Sequence, residues 1–333
     1  MSKGLDVGTS FIVLSSESTD GITYKDFRDA FYIIKPTTPV ATKMIEKGLS
    51  GKVFIKDSDG SFILLGKDAI EKAIERNDTA KRPMFKGVVS AKEKDAKKIL
   101  AFILKEVAGK AETEGEKIVF CIPAQPVDQE DEDFDVGYHE DVVKTILGEC
   151  GYDARAINEA EALCYAELED TDYTGIGISC GAGMTNVCVM LNGEPTVVFS
   201  TTKSGDWIDR MSAVATGEPD SVVQAEKEGG GFKIGESNEN PVLAAVSAYY
   251  DRLIDYTTKQ LSVALTGHKS LPKFKDPLKI VVAGGTSQAN GYIEKFQEKL
   301  NENNFPLQIK EVIHAKDALH AVAKGCLIAS KVL

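Results

Sequence analysis

An α/β fold in two lobes is what this sequence predicts, on three observations. Its 333 residues exceed what one hydrophobic core usually supports, so two lobes of roughly 150 residues each are expected. Apolar strand-like runs alternate with helical periodicities along the whole chain. Third, a hairpin near the N-terminus, LDVGTSFIVL (5–14), is echoed by GISCGAGMTNVCVM (177–190). With Gly8 laid on Gly181 the flanking strands coincide, and Asp6 falls on Ser179. No shorter repeat period accompanies this long-range echo.

The elements follow in order. After the first hairpin, residues 15–80 mix short strands with polar turns: FYIIK, then KVFIKDSDGSFILLG with an SDG turn at 58–60, then the helical GKDAIEKAIER. KRPMFKGVVS (81–90) leads into a helix in which Ile99, Leu100, Ile103, Leu104 and Val107 recur at helical spacing. KIVFCIP (117–123) is a short buried strand stopped by proline. A helix from His139 to Gly151 follows, and then AINEAEALCYAEL, whose alanines and leucines predict a packed helix. The second half opens with the Gly177 hairpin and a further strand pair, VCVMLNGEPTVVFS, turned at NGE. SGDWIDRM starts another helix, and a glycine-rich stretch, EGGGFKIGES, precedes a long one. Asn240 is the expected cap of that helix and Pro241 its first residue, with Gly267 just past its end. KIVVAGG is a buried strand closed by paired glycines, and YIEKFQEKL is the helix after it. The last helix, DALHAVAKGCLIAS, is apolar enough to pack on the first lobe's sheet.

Composition narrows the function. An apolar content of 43% and a charged content of 27% describe an ordinary globular protein. A net charge of −12 argues against binding to nucleic acid or to anionic lipid. No apolar run is long enough to span a bilayer, and MSKGLDVG lacks a signal-peptide pattern, so a cytoplasmic location is expected. The six cysteines (121, 150, 164, 180, 188 and 326) form no C-x-x-C pair and read as small buried hydrophobes in a reducing compartment. The four histidines fit no metal-ligand spacing on one helix face.

The chemistry lies in the glycine turns. A tight turn of Gly, Ser and Thr exposes successive backbone N–H groups as a concave cradle for an anion. Two such cradles on facing lobes would grip a polyphosphate from both sides. An acid on the incoming strand can orient hydrated Mg2+, which favours one or two carboxylates plus waters. In that picture Asp6 serves the metal, while Gly8, Thr9, Ser10, Gly181, Ala182, Gly183 and Met184 serve phosphate. Either hairpin alone is a common strand connector. The third element, KIVVAGGTSQANGYIEKF (279–296), places paired glycines at a strand end, where a ring or ribose can approach the backbone.

Taken in order, LDVGTS, KIVFCIPAQP, AINEAEALCYA, GISCGAGMTNVCVM, SGDWID, VVAGGTSQANGYIEKF and DALHAVAKGCLIAS resemble the actin-like ATPase superfamily of actins, heat-shock chaperones and sugar kinases. They match its first phosphate hairpin, following strand, first connecting helix, second phosphate hairpin, helix start near the nucleotide, adenosine motif and second connecting helix. FILLGKDAIEKA and KRPMFKGVVS are most similar to the bacterial actin MreB, with the magnetosome filament protein MamK and archaeal actin relatives as similar candidates. The resemblance runs from Leu5 to the C-terminus. It implies duplicated ribonuclease-H-like domains around a nucleotide cleft. The first lobe would take residues 1–165 plus 318–333, with an outer subdomain at 28–80, and the second 166–317, with a short outer subdomain at 210–240. It further implies ATP or ADP with Mg2+, Asp6 orienting a metal-bound water, and Glu159 orienting the attacking water. Gly205 and Asp209 would line the cleft, Glu226 and Lys227 would meet ribose and base, and Gly284, Gly285 and Thr286 would meet adenosine.

Self-assembly into filaments with slow ATP hydrolysis is the expected activity, with cargo or adaptor proteins unnamed. The alternatives are a chaperone-type nucleotide-binding domain, although no peptide-binding domain is expected after the last helix, and a small-molecule kinase, for which no substrate-base Asp is evident. Three departures stand out. Ser179 occupies a position where the chaperones and bacterial actins carry an acid; its hydroxyl would bond a metal-bound water without attracting the metal. The stretch between Asp209 and Asn240 is short for an outer subdomain. The loop DQEDEDFD (128–135) reads as a solvated acidic loop that anionic lipid would repel, and MSKG forms no amphipathic helix, so direct membrane insertion is not expected.

Overall fold

The computed structural model describes residues 2–129, 134–268, 271–303 and 305–333. Positions 130–133 of the acidic loop lie outside the described residues. Strands β1 (Lys3–Val7), β2 (Phe11–Ser18) and β3 (Gly21–Arg28) form an antiparallel meander. The chain then builds an outer layer from β4 (Phe31–Ile34), α1 (Pro39–Gly48), β5 (Phe54–Lys56), β6 (Phe62–Leu65) and α2 (Lys67–Glu75), followed by a small ribbon of β7 (Met84–Phe85) and β8 (Val88–Val89). It returns through α3 (Ala96–Ala108), β9 (Glu116–Ile122), α4 (Val136–Glu149), β10 (Tyr152–Asn158) and α5 (Glu159–Glu167). The sheet order is β10-β9-β1-β2-β3, with β9 parallel to β1 and β10 parallel to β9.

The second half repeats this plan. Its meander is β11 (Gly175–Cys180), β12 (Thr185–Leu191) and β13 (Glu194–Thr201), and the crossover holds α6 (Gly205–Thr216), α7 (Asp220–Gly229) and α8 (Pro241–Gly267). Then come β14 (Leu278–Ala283), α9 (Tyr292–Glu302), β15 (Ile309–His314) and α10 (Ala321–Val332). The order β13-β12-β11-β14-β15, with the last two strands parallel, is the same topology. The echo extends to atoms. Gly8 N donates to Phe11 O at 3.0 Å, and Gly181 N donates to Met184 O at 3.0 Å.

Each sheet carries its own core. In the first, Ile99, Leu100, Ile103 and Leu104 of α3 are fully buried against the sheet; each such side chain contributes about 1.5–3 kcal/mol. Between the sheets lies a third cluster of small residues from α5 and α10, including Ala160, Ala162, Cys164, Ala321 and Cys326. Here the helices nearly touch, because a Cβ on Gly325 would sit 1.8 Å from the Ala162 carbonyl oxygen. The last helix thus packs on the first sheet, as expected, and also joins the two halves.

Local differences from the sequence reading have plain causes. Asp135 accepts from Tyr138 N at 2.8 Å and starts α4 at Val136, ahead of His139. Ala156, Ile157 and Asn158 finish a strand, and the Asn158 side chain caps Ala160 N at 2.9 Å. That cap places Glu159 in the first turn of α5. Asn240 caps α8 as expected, and Gly267 is its last residue. KRPMFKGVVS contains the ribbon β7–β8, and residues 317–320 form a turn ahead of α10. Among the described residues no helix is long and apolar enough to cross a membrane.

Candidate functional site

The two echoed hairpins face each other across a cavity of about 510 Å³. Asp6, Gly8, Thr9 and Ser10 line it from one side, and Gly181, Ala182, Gly183 and Met184 from the other. They approach closely: a Cβ on Gly183 would lie 2.5 Å from Thr9 Oγ1, which itself accepts from Gly87 N at 2.9 Å. The backbone N–H groups of Thr9, Ser10, Ala182 and Gly183 have no hydrogen-bond acceptor among the described residues. Such unfilled donors at a turn favour an anion.

The second turn is held by its neighbours. The Gly181 carbonyl accepts from Ser204 Oγ at 2.6 Å, Thr286 Oγ1 at 2.7 Å and Gly205 N at 3.2 Å. The hairpin, the start of α6 and the glycine turn after β14 therefore form one unit. Gly284 adopts φ +89°, and its N–H donates to Ala318 O at 2.9 Å. Gly205, Asp209, Gly284, Gly285 and Thr286 all line the cavity.

Carboxyls dominate the floor. Burial raises Asp6 to about 6, against the hydrogen bond from Cys121 Sγ at 3.1 Å and the field of His320. Burial, with the negative charge of Asp6, pushes Glu159 to about 8. Both Glu159 oxygens are engaged: Oε1 accepts from Ser179 Oγ at 2.6 Å and Oε2 from Asn186 Nδ2 at 2.9 Å. Burial also raises Asp209 to about 6, opposed by Lys227 at 2.8 Å. Two arginines of the first half bridge to carboxylates of the second. Arg82 holds Asp206 through two bonds, at 2.9 and 2.8 Å, and Arg28 meets Glu228 at 3.1 Å.

Three residues have partners that the sequence did not suggest. Ser179 lines the cavity but is buried and gives its hydroxyl to Glu159. Glu226 is exposed and accepts from Asn240 Nδ2 at 3.2 Å; Gln224, Lys227 and Glu228 are the α7 residues that line the cavity. Asp128 of the acidic loop is not simply solvated, since it accepts from Thr202 N and from the Tyr256 hydroxyl, each at 2.8 Å.

A family profile, Volactin, matches residues 1–330. The chain belongs to the Volactin family. No curated sequence matches it significantly. Solved structures resemble this Volactin-family chain over its whole length. A MamK double helical filament superposes with a TM-score of 0.73 at 18% identity, covering 100% of this chain and 99% of that one. MreB5 of Spiroplasma citri bound to AMPPNP gives 0.63 at 16% identity, covering 99% and 96%. A non-polymerising MamK mutant bound to AMPPNP gives 0.58 at 19% identity, covering 99% and 98%. The Volactin-family chain therefore has the actin-like ATPase fold, with its mixed α/β sheets and helices in two lobes.

Sequence reasoning missed several residues of this Volactin-family site. Asn186 lies within the quoted hairpin, directly opposite Ser179 in the β11–β12 register. A buried asparagine in the apolar run TNVCVM was the available signal. In the first hairpin the equivalent place opposite Asp6 is Val13. Arg28, Arg82 and Asp206 carried no local signal, since their partners are remote in sequence.

Proposed function

We propose that the chain is an actin-like ATP-binding protein that assembles with copies of itself in a nucleotide-dependent way and hydrolyses ATP slowly with Mg2+. The observation that carries this reading is the pair of turns closed by the same hydrogen bond, each with unfilled amides, lining one cavity. The division into lobes at 1–165 plus 318–333 and at 166–317 belongs to the same reading. In it the phosphates lie between Thr9, Ser10, Ala182 and Gly183, while Gly284, Gly285 and Thr286 meet the nucleoside.

The residues suit Mg2+ held through phosphate and water. Among the described residues no cluster of three side chains could hold an ion by itself. Among the described residues the cations lining the cavity, Arg28 and Lys227, are both paired with carboxylates. A triphosphate entering this acidic cleft needs a divalent counterion, and in this reading Asp6 would hold its water. Bound Mg2+ would neutralise phosphate charge. A water oxygen bonds to the γ-phosphorus as the bond to the β–γ bridging oxygen breaks, giving ADP, phosphate and a proton. Glu159 orients that water.

The coupling to assembly follows from differential contact. A ligand touching both hairpins favours the closed arrangement over an open one. The MamK filament and the nucleotide-bound MamK and MreB5 structures support the reading by likeness of fold. Helix α1 buries none of its residues and exposes Val40 and Met44, a surface for a second copy. Cargo or adaptor proteins remain unnamed, and neither nucleic acid nor membrane insertion enters the reading, which places the protein in the cytoplasm. Pelleting and electron microscopy with Mg–ATP, Mg–ADP and no nucleotide test it. Filaments dependent on nucleotide are expected, and absence of assembly at high protein concentration overturns the filament part.

A further inference from the structure

Glu159 stands on α5, yet both of its oxygens are held from the second sheet. Ser179 is on β11 and Asn186 on β12, paired directly across the hairpin whose turn faces the cavity. The asparagine's orientation is forced. Ala124 N donates to Asn186 Oδ1 at 2.9 Å, and a backbone N–H can only donate, so the amide nitrogen must face Glu159. Ser179 and Asn186 are both buried, 2% and 0% exposed, so neither has a competing water shell.

We propose that Ser179 and Asn186 are positioning residues that clamp the Glu159 carboxyl to the second phosphate hairpin, so that the attacking water is aligned only when that hairpin is seated on phosphate. This rests on the nucleotide reading above and deepens it. The clamp explains why a serine suits position 179. A hydroxyl can donate to an ionised Glu159 or accept from a protonated one, whereas a carboxylate 2.6 Å away would repel it. Asn186 ties the same point to the loop after β9 through Ala124, so a shift of the second hairpin moves Glu159 against the first sheet. Ser179 thus acts through Glu159 and not as a weakened metal ligand.

The test uses the full chain, with Mg–ATP turnover and Mg–AMPPNP binding measured side by side. Ser179→Ala and Asn186→Ala should each lower kcat about 10- to 100-fold, the loss expected from misplacing a reacting group by about 1 Å. Affinity for Mg–AMPPNP and the Mg2+ concentration for half-maximal turnover should stay within about threefold, consistent with an intact ground-state grip. In a Glu159→Gln background, Ser179→Ala should add no further loss in kcat, because groups acting as a unit are not additive. Full multiplicative losses in the double variant would overturn the proposal, as would a large rise in the Mg2+ requirement of Ser179→Ala. Unchanged turnover in both single variants overturns it too, as does a wild-type chain that binds Mg–AMPPNP but hydrolyses nothing. A wild-type chain that binds no Mg–AMPPNP overturns the nucleotide reading itself.

Discussion

Replacing Glu159 by glutamine gives a readable pH signature. In the folded protein this carboxyl is raised from an ordinary 4.5 to about 8, by burial first and by Asp6 second. An acid whose folded pKa lies above its unfolded one holds a proton that the unfolded chain releases. Its contribution to stability is therefore full below pH 4.5 and is lost as pH rises through about 8. At about 1.4 kcal/mol per pH unit, the loss between pH 5 and pH 8 is on the order of 3 kcal/mol. Glutamine cannot ionise, yet it keeps both contacts: its carbonyl can accept from Asn186 Nδ2, and its amide can donate to Ser179 Oγ. Urea unfolding without nucleotide at pH 5, 6, 7 and 8 reads the difference. Wild type and variant should unfold at similar urea concentrations at pH 5, and the variant should be the more resistant by pH 8. Parallel pH profiles, or a variant weaker than wild type at pH 8, would refute the reasoning about burial.

Three other outcomes are expected. Gly325→Ala places a methyl 1.8 Å from the Ala162 carbonyl, so α5 and α10 must separate; thermal unfolding should show a loss of at least about 2 kcal/mol. Arg82→Ala removes the two-bond bridge to Asp206, and stopped-flow release of a fluorescent ATP analogue should quicken about tenfold, equivalent to about 1.4 kcal/mol. Met44→Lys, on the exposed face of α1, should abolish pelleting with Mg–ATP while calorimetric nucleotide affinity is unchanged; normal pelleting would remove α1 from the contact between copies.

Much of the fold was legible because strand, turn and helix signals agreed locally. The NGE turn appears as Asn192 and Gly193, both at positive φ between β12 and β13, and the Asn240–Pro241 start of α8 follows from capping chemistry alone. The sheet edges were less legible. In β10 the inward residues Tyr152 and Ala154 alternate with exposed Asp153 and Arg155, and a strand half made of small or charged residues leaves little apolar pattern. In β15 only Val312 is buried. The glycine turns of the candidate site were visible because a tight turn between strands needs little more than small residues in sequence. The polar partners were not. Aligning Ser179 with Asp6 suggested a shared role, whereas the residue opposite each differs, Asn186 against Val13, and that decides what the side chain meets. The cross-cleft pairs, Arg28 with Glu228 and Arg82 with Asp206, depend on how two halves dock, which no local pattern records.

The central claim is that two mirrored turns grip one triphosphate. A crystal structure of the full chain with Mg–AMPPNP tests it most directly. Phosphate oxygens are expected at about 3 Å from the amides of Thr9 or Ser10 and, at the same time, of Ala182 or Gly183. A nucleotide whose phosphates touch only one of the two hairpins, or lie outside the cleft, would contradict it.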